Sequence, residues 1–200
     1  MRATAAALIP LASLLVLADP SLAQQRPRPA QGGAQSGPEA KKAELDQLFE
    51  ALRTAPDEQG AAMVEARIRM AWSQQVSPAT GLLLRRGIRN MEAQVPEEAV
   101  EDFDAALTLQ PEAAEAWALR ARALAALGDR AAAARDLQQA LALEPRHFGA
   151  LLALSELQDE AGDAAGALRS LQAALAIHPK MPTGEARLRD LRRKAIGEEL

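Results

Sequence analysis

The sequence predicts an all-α chain: a right-handed solenoid of three helix–turn–helix units, with a degenerate N-terminal helical pair and a C-terminal capping helix. Two observations carry this. The apolar residues are the helix-forming ones, 47 Ala and 30 Leu against 5 Val, 5 Ile, 3 Phe, 2 Trp and no Tyr among 200 residues. Ala and Leu lose little side-chain freedom in a helix, whereas strands favour the β-branched and aromatic residues that are scarce here. The chain also repeats itself every 34 residues: Pro111, Pro145 and Pro179 keep that step, as do Ala99, Ala133 and Ala167; Phe103, Leu137 and Leu171; Ala106, Ala140 and Ala174; and Leu109, Leu143 and Ile177. A period of this length belongs to stacked helical pairs, none of which buries its apolar face alone.

In chain order, residues 1–23 read as an export leader. Arg2 precedes the apolar stretch Ala3–Ala18, and Ser21-Leu22-Ala23 places small residues at both cleavage-site positions. Sixteen residues at 1.5 Å each reach ~24 Å, short of a ~30 Å hydrocarbon core, so no stable membrane insertion is expected after cleavage. The mature chain is expected to begin at Gln24 and to be periplasmic. Residues 24–38 (QQRPRPAQGGAQSGP) hold no large apolar residue, which marks a linker. Residues 39–79 read as the degenerate or capping pair: Leu45, Leu48, Phe49 and Leu52 define one helix. A second begins at Pro56-Asp57 and carries Met63, Val64, Ile68, Ala71 and Trp72.

The three units are 80–113, 114–147 and 148–181. Gly128-Asp129 and Gly162-Asp163 stop the first helix of a pair, since Gly adopts the left-handed cap at no steric cost. The prolines close the second helix. Small Ala99, Ala133 and Ala167 let paired helices approach closely. Residues 182–200 form the cap, with Thr183 as N-cap of a helix to about Ile196. Leu188, Leu191 and Ile196 are expected to seal the last unit, with Arg187, Arg189, Arg192, Arg193 and Lys194 in water.

These repeated positions resemble the tetratricopeptide repeat (TPR). The middle unit carries Trp117, Arg120, Ala121, Leu124, Ala133, Leu137, Ala140 and Pro145 at its pattern places. The first unit places Leu83, Arg86, Gly87, Asn90, Ala99, Phe103, Ala106 and Pro111 there, and the third Leu151, Leu154, Ser155, Gln158, Ala167, Leu171, Ala174 and Pro179. Asn90 and Gln158 depart from the usual large apolar residue, and Val95-Pro96 replaces the Gly-Asp turn. More loosely, the segments LDQLFEAL and PRHFGAL resemble exported bacterial TPR proteins.

Composition narrows the function. With 23 Lys and Arg against 27 Asp and Glu, the net charge is −4, so no sequence-wide attraction to nucleic acid is expected. There is no cysteine, and the two histidines form no metal-binding pair. No metal, cofactor or catalytic residue is expected. His147 and His178 fall in turns and are expected to be solvent-exposed.

The resemblance implies a binding groove lined by the second, fifth, ninth and twelfth residues of each unit. These are Gly81, Leu84, Ile88 and Met91; Glu115, Ala118, Arg122 and Ala125; Gly149, Leu152, Glu156 and Asp159. The partner-binding candidates are Leu84, Ile88, Met91, Glu115, Arg122, Leu152, Glu156 and Asp159. Leu84 and Ile88 stand where the family's carboxylate clamp wants Lys and Asn, which disfavours heat-shock chaperone tails. The competing possibility at Leu84 and Ile88 is burial against the preceding pair. The expected function is a non-catalytic periplasmic scaffold or adaptor binding a protein or peptide segment. The alternatives are an assembly chaperone for envelope clients, or an enzyme built on Glu44, Asp46, Glu50, Asp57, Glu58 and Glu65.

Overall fold

A computed structural model describes residues 37–197. The expected leader, and the linker up to residue 36, lie outside the described residues. Nine helices follow one another among the described residues, without a strand: α1 (Pro38–Arg53), α2 (Glu58–Ser73), α3 (Pro78–Glu92), α4 (Pro96–Leu109), α5 (Ala114–Ala126), α6 (Arg130–Leu143), α7 (Phe148–Glu160), α8 (Ala164–Ile177) and α9 (Gly184–Ile196). α3–α4, α5–α6 and α7–α8 pack as pairs, and successive pairs stack.

Each pair is punctuated in the same way. Gly128 and Gly162 adopt φ of 84° and 80°. Beside them, Asp129 N–H donates to the Leu124 carbonyl and Asp163 N–H to the Gln158 carbonyl, satisfying carbonyls that a helix end leaves open. The Asp129 and Asp163 carboxylates then cap the next helix, accepting from Ala132 N–H at 2.9 Å and Gly166 N–H at 2.8 Å. The divergent turn of the first unit makes the same backbone bond, Val95 N–H to the Asn90 carbonyl, with Gln94 at φ 60° in the glycine's place. Val95 supplies no side-chain cap, but Pro96 opens α4 with no N–H to satisfy.

The interior of each pair matches small to large. Gly87 of α3 faces the fully buried Phe103 ring of α4 so closely that a Cβ on Gly87 would lie 2.5 Å from Phe103 Cε1. One repeat later the same two places hold Ala121 and Leu137, in one buried cluster. Burying each of the large partners, Phe103 and Leu137, contributes about 1.5–3 kcal/mol.

The departures Asn90 and Gln158 have a physical reason. Asn90 Nδ2 donates to the buried Asp102 at 3.0 Å, beside an ion pair from Arg86. Gln158 accepts from the buried Ser170 hydroxyl at 2.6 Å. In the middle unit Leu124 is apolar and Arg120 alone holds Asp136, donating from Nε at 2.7 Å and Nη2 at 2.8 Å. A polar first-helix residue therefore satisfies a buried polar group on its partner helix wherever one is present. Trp117 packs against two of the repeat cores and donates its indole N–H to the Pro111 carbonyl.

The helical pair α1–α2 forms where the pattern places it, with Asp57 capping α2 through Gly60 N–H at 2.7 Å. It does not lie across the first unit as a further repeat. Leu82, Arg85 and Arg89 of α3 remain exposed, although their counterparts Ala116, Leu119 and Ala123 are buried against α4. The pair runs instead along the edge made by the turns between repeats. Gln110, Glu144 and His178 occupy one repeat position on that edge; Ala113, His147 and Met181 occupy another. Gln110 accepts from Ser77 N–H and donates to the Gln75 carbonyl. Arg146 reaches Asp46 at 2.6 Å and lies over the Phe49 ring. Leu45, Leu48, Phe49, Leu52 and Ile68 share one buried cluster with Phe148, Ala174 and Met181.

This docking corrects the expectation for the histidines. His147 and His178 are 4% and 1% exposed, because α2 covers the turns that hold them. At the other end Leu188 and Leu191 seal the last unit as expected, but Ile196 is 73% exposed, lying in the final turn of α9. Thr183 precedes α9 in a left-handed conformation and caps it without a side-chain bond.

Candidate functional site

The first helices α3, α5 and α7 carry the groove positions, and the described residues sort them into three sets. Glu115, Ala118, Arg122, Gly149, Leu152 and Glu156 come together around a cleft of about 290 Å³, which Leu119, His147, Phe148 and Ala153 also line and to which α2 adds Arg69 and Trp72. Met91, Arg122, Ala125 and Glu156 border a second cleft of about 220 Å³ between α5 and α7. The two share Arg122, Ala153 and Glu156 and so form one trough. Leu84, Ile88 and Asp159 stand outside it. Leu84 is 7% exposed, packed with Ala99 and Phe103 inside the first pair, and so is unavailable to a partner. Ile88 lies on the surface of α3, and Gly81 near its start. Asp159 receives both of its hydrogen bonds from Lys194 of the capping helix, at 2.9 Å.

The charges in the trough differ in how far they are already matched. Glu156 is paired with Arg187 of α9 at 2.5 Å, and Arg69 with Glu65 at 2.5 Å. Arg122 is exposed and makes no ion pair among the described residues. Glu115 holds His147 Nε2 at 2.9 Å through one oxygen. Burial pushes the Glu115 carboxyl up, but the hydrogen bond from His147 and the charges of Arg69 and Arg122 outweigh it. The group therefore stays below its ordinary value and anionic.

The geometry bears on catalysis as well. His147 Nδ1 accepts the Ala150 backbone N–H at 3.1 Å and so carries a lone pair, which leaves the proton on Nε2, donated to Glu115. Neither ring nitrogen faces the cleft free, as a general base requires. His178 Nε2 meets Glu65 at 3.2 Å, and its Nδ1 is buried without a partner. Four of the six carboxylates of the N-terminal pair are engaged with separate partners: Asp46 binds Arg146, Glu50 binds Arg53, Asp57 caps α2, and Glu65 meets Arg69 and His178.

Sequence reasoning from the repeats missed Arg69 and Trp72, since they belong to α2 and carry no repeat position. The one local signal was an aromatic residue on the apolar face of α2. The Trp72 ring stacks on His147 at 4.6 Å and on Phe148 at 5.9 Å, which fixes the wall of the cleft to its floor.

Comparison with known proteins agrees with this architecture. The tetratricopeptide repeat pattern matches residues 84–134 and 119–182. Over 121 residues, 60% of the chain, the sequence is 31% identical to a TPR repeat-containing protein of Rhizobium etli, and it spans 58% of that relative's length. The first TPR of Spaghetti (RPAP3), solved bound to the HSP90 peptide SRMEEVD, superposes with a TM-score of 0.58 at 18% identity, covering 60% of this chain and 97% of that one. The Yersinia enterocolitica type III secretion chaperone SycD, in complex with a peptide of the translocator YopD, gives a TM-score of 0.55 at 15% identity, covering 62% and 97%. Identities this low carry the fold alone. Family pattern, repeat register and helical pairing agree: the chain belongs to the tetratricopeptide repeat family.

Proposed function

We propose that this protein is an exported, non-catalytic scaffold or adaptor that holds a segment of a partner protein in the trough between α2, α5 and α7. One observation carries the reading: groove positions from two successive repeats converge on a trough where Arg122 stands exposed, without an ion-pair partner among the described residues. The peptide complexes of RPAP3 and SycD support the choice of ligand class. The leader-like residues 1–23 support a periplasmic location, with Gln24 as the mature N-terminus.

Site-specific photo-crosslinking in the envelope tests this. A photoreactive side chain at Leu152, inside the trough, should capture a defined partner. The same group at Thr108, exposed on α4, should not. Equal capture from both positions would place the working surface elsewhere, and a mature N-terminus other than Gln24 would overturn the export reading.

A further inference from the structure

The stack of repeats ends on an open face at α3. In α5, α7 and α9 the position that meets the preceding second helix is small and buried: Ala116, Ala150 and Gly184. The second helix presses so closely there that a Cβ on Gly184 would lie 2.6 Å from Leu175 Cδ2 of α8. α3 holds Leu82 at this position, 58% exposed. A leucine there keeps a second helix from approaching at the repeat distance, so the face is not shaped for a further unit.

Its charges are patterned as well. Arg85 and Arg89, about one and two turns beyond Leu82, are exposed and make no ion pair among the described residues. α4 runs antiparallel beside α3: Ser77 N–H donates to the Gln110 side chain at one end, and Arg86 and Asn90 reach Asp102 further along. The flank of α4 toward α5 is occupied by Leu107 and by Asp104, which binds Arg120. The other flank carries Glu98, Glu101 and Leu109 at helical spacing, all exposed, and neither acid makes an ion pair among the described residues. The Arg86 guanidinium is pushed up chiefly by its bond to Asp102, and the charges of Glu101 and Glu98 add to this, which places both acids on the α3 side. The open face thus has an apolar end at Leu82 and Leu109, then cations along α3 beside anions along α4.

A patch of this kind is complementary to itself. A two-fold axis parallel to the helices and between them lays α3 of one copy on α4 of another. Such an axis preserves height along the helices, so Leu82 meets the second copy's Leu109, and Arg85 and Arg89 meet its Glu101 and Glu98. Symmetry makes each contact twice. The geometry points to a two-fold dimer of this protein through α3 and α4. End-to-end stacking is disfavoured, because Arg189 and Arg192, exposed on α9, would face Arg85 and Arg89, and like charges across an interface repel. The face is about 22 Å long, 15 residues at ~1.5 Å each, and two helices wide. That is the small end of specific interfaces, so the dimer dissociates on dilution. The trough on α5 and α7 takes no part in it.

Sedimentation equilibrium of the mature chain tests this. A reversible monomer–dimer equilibrium weakened by salt is expected. Arg85→Glu with Arg89→Glu leaves Glu at all four charged places, and Glu98→Arg with Glu101→Arg leaves Arg at all four. Each variant alone should dimerise at least ~10-fold more weakly, with helical circular dichroism unchanged. Mixed in equal amounts, the two variants should pair with each other about as tightly as the native chain pairs with itself. A native chain that stays monomeric up to about 1 mM overturns the proposal, as does a dimer that neither charge reversal weakens. If both reversals weaken the dimer but the mixture does not restore it, the pairing of α3 on α4 is wrong.

Discussion

Gly87→Ala is the substitution on which backbone propensity and packing disagree in sign. Gly87 sits inside α3, where replacing Gly by Ala gains about 0.8–1 kcal/mol from helix propensity. A methyl there would lie 2.5, 2.7 and 2.9 Å from Phe103 Cε1, Cζ and Cδ1, well inside ordinary contact at 3.4 Å. Phe103 is fully buried between α3 and α5 and has no free direction to move. Overpacking of this kind costs ~1–3 kcal/mol, and three ring atoms within the contact limit place it at the upper end. The net effect should be a loss of about 1–2 kcal/mol, or a melting midpoint lowered by roughly 2–8 °C in far-UV circular dichroism. The second unit holds the remedy, since Ala121 faces Leu137 there. Phe103→Leu alone leaves a void, but Gly87→Ala with Phe103→Leu recreates the Ala121–Leu137 pair and should recover most of the loss. Non-additivity of ~1 kcal/mol or more is expected for side chains in contact. A raised midpoint for Gly87→Ala, or strictly additive effects, would refute the packing argument.

Three further outcomes follow from the same structure. Gln94→Gly should raise the melting midpoint: a side chain in the left-handed region costs ~1–2 kcal/mol, and the added freedom of the unfolded chain returns part of that. A lowered midpoint would show that Gln94 is not strained. Arg120→Met should cost ~3 kcal/mol or more, because Asp136 is left buried without its cation. Arg120→Leu with Asp136→Ser and Leu124→Gln, the Leu154, Ser170 and Gln158 of the third unit, should restore most of it in urea unfolding; a triple variant as unstable as the single one would refute the pairing. Glu65 is held below the ordinary carboxylate range by its hydrogen bond from His178 and by Arg69. Its contribution is therefore fully present above about pH 4.5 and is lost as pH falls through the folded-state value. The difference in midpoint between the native chain and Glu65→Gln should shrink from about pH 6 to about pH 3, and a difference independent of pH would sink the assignment.

How much could be read in advance depended on whether a residue answers to its own repeat or to something outside it. The helices, their turns and the buried Ala99, Ala133 and Ala167 follow from the 34-residue step, because each is decided by neighbours within one unit or the next. Glu115, Arg122, Leu152 and Glu156 could be named for the same reason: their position on a first helix already fixes the face they present. Leu84 shares that register and is nevertheless buried, packed with Ala99 and Phe103. Register gives the direction of a side chain but not the thickness of what surrounds it.

The histidines show the other limit. Their turns would be exposed in a bare stack of repeats, and nothing in their own units says otherwise. They are covered because α1 and α2 carry Leu45, Phe49, Ile68 and Trp72 on faces that no neighbouring helix pair receives, and the turn edge is where that apolar surface is buried. The edge accepts it because Phe148 and Met181 open an apolar seat beside His147 and His178, each histidine meeting a carboxylate that removes the cost of burying its Nε2. A pattern with a period of one repeat cannot record such an arrangement, since α2 spans turns from successive repeats at once. The same contact carries Arg69 and Trp72 to the mouth of the trough. The helical pair that departs furthest from the repeat pattern thus supplies part of the lining of the cleft between α5 and α7.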